Sequence, residues 1–186
     1  VNDLEEYLTS TGFAKKDVKN CALFLQMIEE HKLRRSASTF RAGEIVLEHT
    51  NEKLRKRSFL TKILFGSSPS TVNKHLILLE QTFIASLDTS STNLKRALEL
   101  FNELKAIVEQ TLGQKNSQRL KRLEGMLLEA SGEFDKAMEH YDAILEDQPT
   151  EQRVMKRRIA VFESQNDTKK CLEALNKYLD VFMDDV

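Results

Sequence analysis

The sequence is poor in the residues that interrupt helices. Its 186 residues include only two prolines and six glycines, well below the average usage of soluble proteins. Proline breaks a helix interior and glycine weakens it, so this scarcity, together with plentiful Leu, Glu, Lys and Ala, argues against a turn-rich β fold. We predict an all-α protein.

Long apolar runs and an excess of charge are also missing. A membrane-spanning helix needs about 18 or more consecutive apolar residues, and charge interrupts the longest runs here, such as HLILLE at 75–80. The N-terminal residues show no positive segment followed by an apolar core, so no secretory signal is visible. The formal net charge of -1 argues against a global basic field, and we expect no nucleic-acid partner.

Motifs for catalysis, metal binding and phosphate binding are absent from the sequence. It contains no HExxH motif, no Cys/His cluster, and no GxxxxGK or GxGxxG loop. Cys21 and Cys171 fall in separate helical patterns and form no CxxC pair, which predicts reduced, buried thiols. We therefore predict no catalytic residue, no metal ligand and no cofactor. The four histidines are scattered along the chain at His31, His49, His75 and His140.

Apolar residues recur at steps of three and four along most of the chain, which predicts helices. The predicted ranges are 3–8, 17–33, 36–57, 71–87, 93–112, 117–130, 134–146, 151–165 and 168–182. In the third helix, Phe40, Gly43, Val46 and Leu47 form the predicted buried stripe, and Gly43 would allow a neighbouring helix to approach closely.

The segment FGSSPS, at 65–70, combines Gly, three Ser and Pro and is the clearest predicted loop. It divides an irregular helical N-terminal part, 1–70, from a regular C-terminal part, 71–186. Because the C-terminal loops are short, consecutive helices should pair antiparallel. The predicted hairpins are 71–112, 117–147 and 151–182.

A repeat pattern runs through these hairpins. Tetratricopeptide repeats have a unit of about 34 residues with small residues at the helix crossing, an aromatic residue after Ala-x3 and a closing Pro. Gly125, Ala137, Tyr141 and Pro149 fall in this register, although the leading bulky residue, the Leu and the first aromatic of the motif do not. The pattern predicts that these four residues make packing contacts.

The neighbouring repeat units have side chains of similar size at several of these positions. One unit later, Ile159 replaces the glycine, and Cys171-x3-Leu175 follows the second-helix pattern. One unit earlier, Ala85 and Ala97-x3-Phe101 take these positions, with 40 residues between Ala97 and Ala137. We predict a tetratricopeptide-type helical-hairpin solenoid; a non-repetitive bundle with one accidental hairpin is the alternative.

The C-terminal part resembles one family more closely than the generic repeat. The stretches EQTFIASLD, SQRLKRLEGMLLEASGEFDKAMEHYDAILEDQPT, KRRIAV and LNKYLDVF are similar to the tetratricopeptide subunit 2 of the endoplasmic reticulum membrane protein complex. The similarity covers roughly 80–182 and includes the run Arg122–Met126, the pair Pro149-Thr150 and the pair Lys156-Arg157. AGEIVLEHTNEKL resembles the first long helices of the family more weakly.

This resemblance implies a non-enzymatic scaffold on the cytosolic face of the endoplasmic reticulum. Such a protein is peripheral, holds other subunits of a membrane-associated complex to support membrane-protein insertion, and contacts the membrane indirectly through those subunits. The resemblance implies no catalytic residue and no cofactor.

The candidate partner-binding residues lie on the first helices of the second and third hairpins, whose spacing predicts that they face a concave groove. They are Arg119, Arg122, Met126, Glu129, Arg153, Lys156 and Arg157. They could bind an acidic peptide or the end of a partner helix. The alternative is that four of the basic residues form salt bridges with Glu129 and Glu163 or keep the surface soluble. These four are Arg119, Arg122, Arg153 and Lys156.

Two other binding modes are open. One is an adaptor for the acidic tail of a chaperone or another partner, which needs Lys and Asn side chains on three first helices. The corresponding positions hold Thr82 with Ser86, then Leu123, then Arg153 with Arg157. Only the last pair fits. The basic run 53–62 contains Phe59 and could meet RNA or an anionic membrane, although its helical spacing and nearby acids favour a solvated face.

Overall fold

The structure, a computed structural model, describes residues 1–14, 17–55, 69–89, 93–113 and 117–184. Every regular element in these ranges is helical and none is a strand, which confirms the all-α fold class. In chain order the helices are α1 (Asn2–Ser10), α2 (Val18–Glu30), α3 (Ser36–Arg55), α4 (Pro69–Thr89), α5 (Leu94–Thr111), α6 (Gln118–Ala130), α7 (Phe134–Asp147), α8 (Gln152–Ser164) and α9 (Thr168–Leu179).

Each predicted helix coincides with one of these nine, and where both ends lie in the described residues they agree within three positions. The agreement follows from strong local signals, since apolar periodicity is interrupted only at short turns. Most of the predicted loop 65–70 and of the basic run 53–62 lies outside the described residues.

The helices group into two compact units, 1–114 and 115–186. In the first unit α3 packs on α2 and α4, and α4 packs on α5. The sequence predicted a different boundary, after residue 70, where the regular repeats should begin. That boundary stays a prediction.

Gly43 brings α3 and α4 close together in the first unit, as the sequence predicted. A Cβ built on Gly43 would lie 2.8 Å from Cγ2 and 2.9 Å from Cβ of Thr82, closer than side-chain atoms approach one another. In the predicted stripe, Gly43 and Leu47 are buried, whereas Phe40 and Val46 are half-buried. The spacing therefore identified the face of α3 that points inward.

The α4–α5 hairpin carries the small and aromatic residues that the repeat pattern singled out. Ala85, Ala97 and Phe101 are buried, and the ring of Phe101 lies 5.9 Å from that of Phe83 between centroids. This geometry suits a tilted aromatic pair, so these positions build the hairpin core.

The second unit consists of two consecutive hairpins, α6–α7 and α8–α9, with α7 packed on α8. The first helices begin at Gln118 and Gln152, and the second helices at Phe134 and Thr168. Both pairs are offset by 34 residues, the length of a tetratricopeptide unit. The predicted hairpin repeat is confirmed in this unit.

The turn inside each hairpin has the same backbone geometry. Gly132 has φ +77° and Asn166, 34 positions later, has φ +57°. Each is followed by a residue whose N–H bonds a carbonyl five positions back, Glu133 to Leu128 and Asp167 to Phe162. This is the Schellman arrangement, in which a left-handed residue satisfies the last carbonyls of a helix.

Candidate partner-binding face of the second unit

The seven candidate residues lie on α6 and α8, the first helices of the two hairpins, and they differ widely in exposure. Arg153 and Lys156 on α8 are exposed. Arg122 and Met126 on α6 are 8% and 6% exposed. Arg119, Glu129 and Arg157 are half-buried. Arg153 and Lys156 are thus far more open to solvent than the other five residues.

Tyr141 of α7 organises the crossing of α6 and α7. Its side chain is fully buried, and a Cβ built on Gly125 of α6 would lie 2.8 Å from Cζ and 3.0 Å from the hydroxyl oxygen of Tyr141. Glycine is therefore required where the ring crosses the helix. Tyr141 also belongs to one buried apolar cluster with Val154 and Val161 of α8, so this cluster joins the two hairpins.

Glu129, Tyr141 and Arg157 form one hydrogen-bond network across α6, α7 and α8. The Tyr141 hydroxyl donates to Glu129 Oε1 at 2.5 Å. Arg157 Nε donates to the same oxygen at 3.0 Å, and Arg157 Nη2 donates to Glu129 Oε2. The Glu129 side chain is 10% exposed. A bidentate, largely desolvated pair of this kind strongly fixes the relative positions of the two side chains.

The network changes the acid–base properties of two of its members. Burial raises the pKa of the Tyr141 phenol above its ordinary value, and the charge of Glu129 raises it further. Burial alone would lower the pKa of Arg157, but its hydrogen bonds and ion pair with Glu129 outweigh burial and raise it. Both groups therefore keep their protons at neutral pH, and the network acts as a structural clasp.

The other basic residues of α8 are engaged to different degrees. Arg158 Nε lies 3.1 Å from Asp142 Oδ1 of α7, and Lys156 Nζ lies 5.5 Å from the centroid of the Tyr178 ring of α9. Arg153 is exposed and has no ion pair within the described part of the chain. Arg153 is therefore the cation of α8 that is best placed to meet an external carboxylate.

The positions required by an acidic-tail clamp are mostly unsuited to that role. Thr82 and Ser86 are fully buried and donate to carbonyls of their own helix, Leu78 at 2.8 Å and Phe83 at 2.6 Å. Leu123 is fully buried.

Sequence reasoning missed the clasp. It named Glu129 and Arg157 as groove residues and named Glu129 as a possible salt-bridge acceptor, but for other basic residues. The two side chains are 28 positions apart, so no local helical spacing connects them. The register offered one clue, because it places Glu129 and Arg157 on neighbouring first helices.

Among the described residues, no three or more His, Cys, Asp or Glu side chains are grouped so that they could hold a metal ion. Among the same residues, no helix combines the length and apolar character that crossing a membrane requires.

Comparison with known proteins identifies the repeat. The model of a family described as the EMC2 TPR-like repeat domain matches residues 97–186. That part of the chain, a little under half of its length, is similar to this family. The matched residues contain both hairpins of the second unit and most of α5.

Relatives extend the similarity further towards the N-terminus. ER membrane protein complex subunit 2-A of Xenopus laevis is 37% identical over 109 residues, which are 59% of this chain and 34% of that protein. The subunit 2 of Dictyostelium discoideum is 33% identical over 109 residues, 58% of this chain and 31% of that protein. TPR repeat protein oca3 of Schizosaccharomyces pombe is 35% identical over 107 residues, which are 58% of this chain and 35% of that protein. The matched region thus spans about a third of each relative.

Proposed function

We propose that this chain is part of a non-enzymatic scaffold subunit of an endoplasmic reticulum membrane protein complex. In this role it holds partner subunits at the cytosolic face of the membrane, as a peripheral component, and thereby supports membrane-protein insertion. The observation that carries the proposal is the match of 97–186 to the EMC2 TPR-like repeat domain, together with relatives named as subunits of that complex.

The structure supports a holding role through the positions of the distinctive residues of the repeat. Gly125 and Tyr141 contact each other, and Glu129 is paired with Arg157. Each of these residues stabilises the hairpins, so the surface available to partners consists of residues outside these contacts. Stacked helical repeats provide extended surfaces that bind other proteins, as a scaffold requires.

Within this proposal, Arg153 and Lys156 contact a partner directly. Both are exposed on α8, and the clasp between Glu129 and Arg157 holds that helix against α6. Arg119, Arg122 and Met126 support the same face from α6. The expected counterpart is a carboxylate-bearing segment or the C-terminal end of a helix, because both present negative charge.

The alternative, an adaptor that grips a free acidic tail, depends on Arg153 and Arg157 acting together. Because Arg157 already donates to both oxygens of Glu129, a tail would have to compete with a largely buried ion pair. Arg153 alone provides a weaker site. Scaffolding therefore has the better support.

Affinity purification tests the proposal. The full-length protein is tagged and purified from its own cells in a mild detergent, and membrane insertase subunits should be recovered with it in constant proportion. Recovery of the protein by itself under these conditions would overturn the scaffold proposal.

Variants separate scaffold from adaptor. A scaffold should lose partner subunits when exposed apolar contacts are changed, for example with Leu172→Glu, since Leu172 is 54% exposed. Arg153→Ala should weaken partner contact in a scaffold as well, but a scaffold should bind no free acidic peptide, whereas an adaptor should bind such a peptide and lose it with Arg153→Ala. Lys169→Ala, at another exposed cation of the same unit, is the matched control and should affect neither.

A further inference from the structure

The last helix, α9, exposes an apolar stripe whose counterpart in the preceding hairpin is covered. Leu172 is 54% exposed and Leu175 is 37% exposed. At the corresponding positions of α7, 34 residues earlier in the sequence, Met138 is half-buried and Tyr141 is fully buried. Because α7 and α9 are the second helices of successive hairpins, the difference in exposure reflects what packs on each of them.

The helix that covers this stripe on α7 is α8. Val154 and Val161 of α8 belong to one buried apolar cluster with Tyr141, and Met138 packs against that cluster. Residues seven positions apart lie on the same face of a helix. A helix with the same apolar spacing therefore fits the exposed stripe of α9.

An acidic residue of α8 repeats the polar half of the same contact. Glu129, at the end of α6, accepts hydrogen bonds from Arg157, which follows Val154 by three positions on α8. Glu163 occupies the position of Glu129 in the next repeat. It is exposed and has no ion pair within the part of the chain that the structure describes. Glu163 is thus placed to accept from an arginine of a helix that docks on α9.

The spacing of these contacts defines a helix with an arginine three positions after one apolar residue and four positions before another. In this sequence the spacing occurs only on α8, at Val154–Arg157–Val161 and, one position later, at Met155–Arg158–Phe162. In this chain α8 already packs between α7 and α9. A second copy of the chain therefore offers no free helix of this kind, which favours a different polypeptide as the occupant.

We propose that α9 and Glu163 bind an amphipathic helix of a partner polypeptide that has this spacing. Its two apolar residues pack on Leu172 and Leu175, and its arginine donates to Glu163 as Arg157 donates to Glu129. The proposal rests on the proposed scaffold function for the existence of a partner, whereas the repeat defines the chemistry of the partner.

A peptide with the α8 sequence is the probe, because α8 makes this contact with α7. It spans 151–165 with blocked ends, and a lactam bridge from Lys156 to the glutamate introduced by Ala160→Glu keeps it helical on the face away from the two valines. Short helices are otherwise marginal in water. Its dissociation constant for the full-length protein is measured by isothermal titration calorimetry.

Substitutions on the protein test the apolar half of the contact. Leu172→Glu should abolish binding of the peptide, because it places a charge in the apolar stripe. Leu98→Glu makes the same change at a leucine of the first unit that is 47% exposed, and it should keep the parent affinity. Circular dichroism should show the same helix content for both variants, since both leucines are exposed.

A double-mutant cycle tests the arginine contact. Glu163→Gln in the protein should weaken binding about tenfold, and citrulline in place of Arg157 in the peptide should do the same, because each removes one charge of the pair. The two changes together should cost little more than either alone. Glu173→Gln is the matched control and should have no effect, because Glu139, its counterpart on α7, stays exposed although α8 packs on that helix.

Several results would overturn the proposal. Full-length protein that does not bind the peptide would show that α9 does not recognise such a helix or that another segment of the protein already covers it. Binding that survives Leu172→Glu would place the peptide elsewhere, and additive losses in the cycle would remove the assigned ion pair. A dimer that Leu172→Glu dissociates would make a second copy the occupant. Co-purification of insertase subunits is a separate measurement, so failure of the scaffold proposal and failure of this one are distinguishable.

Discussion

Gly125 faces the ring of Tyr141 so closely that a Cβ on the glycine would lie 2.8 Å from Tyr141 Cζ. We expect Gly125→Ala to destabilise the protein by about 1–3 kcal/mol, the usual range for an overpacked core. Alanine normally favours a helix over glycine by about 1 kcal/mol, so a loss shows that the steric conflict dominates. Urea denaturation followed by circular dichroism measures the change.

The next repeat suggests the compensating substitution. At the corresponding positions it has Ile159 and Leu175, a larger residue on the first helix and a smaller one on the second. Gly125→Ala should therefore cost less in a Tyr141→Leu background than in the parent. If the two substitutions add without coupling, the proposed contact does not limit the size of residue 125.

Glu129→Gln tests the clasp between the hairpins. The substitution keeps the shape but removes the charge that faces Arg157, whose side chain is 29% exposed. Leaving this guanidinium without its counter-ion should cost about 2–3 kcal/mol of unfolding free energy. Asp142→Asn is the matched control, because its carboxylate is 52% exposed and such pairs contribute at most about 1 kcal/mol. Equal losses would contradict a special role for Glu129.

Local sequence signals were sufficient for the helices and for the repeat. Gly132 and its counterpart Asn166 end first helices 34 positions apart, and the apolar periodicity between such turns is regular. A single glycine at 125 and a single alanine at 137 could be assigned to a helix crossing because only small residues fit there. These features depend on neighbours close in sequence or on a fixed repeat length.

The exposure of the candidate face could not be predicted in the same way. Helical spacing places Arg122, Met126 and Glu129 on one side of α6, and the sequence contains nothing that measures how deeply that side is covered. Pairing of Glu129 with Arg157 depends on how two separate first helices pack. Long polar side chains also choose among several nearby partners, so the pattern of charge does not determine which pair forms.

The raised pKa of Tyr141 predicts how stability depends on alkaline pH. An unfolded tyrosine titrates near pH 10, whereas burial and Glu129 keep the folded phenol protonated at higher pH. The folded state then binds more protons, so this contribution is fully present below about pH 10 and declines above it, by about 1.4 kcal/mol per pH unit.

Tyr141→Phe removes this titration. Its unfolding free energy should fall less steeply between about pH 10 and 11 than that of the parent, whatever its stability at neutral pH. Tyr7→Phe, at a side chain that is 45% exposed, should keep the parent slope. Parallel curves for the parent and Tyr141→Phe would show that the phenol is not held in its protonated form.

Asn166 occupies the left-handed turn position that Gly132 fills in the preceding hairpin, with φ +57° against +77°. Glycine adopts this conformation without the steric cost of a Cβ, and asparagine tolerates it better than most residues. Asn166→Ala should therefore destabilise the α8–α9 hairpin by about 1 kcal/mol. Asn166→Gly should leave the stability of this hairpin unchanged or raise it slightly. Gly132→Ala should destabilise the α6–α7 hairpin by a similar amount. The space around Gly132 is open, so only its left-handed backbone conformation opposes a side chain. Thermal unfolding of the three variants decides the matter: if Asn166→Ala is as stable as Asn166→Gly, the left-handed geometry of this turn is not what ends α8.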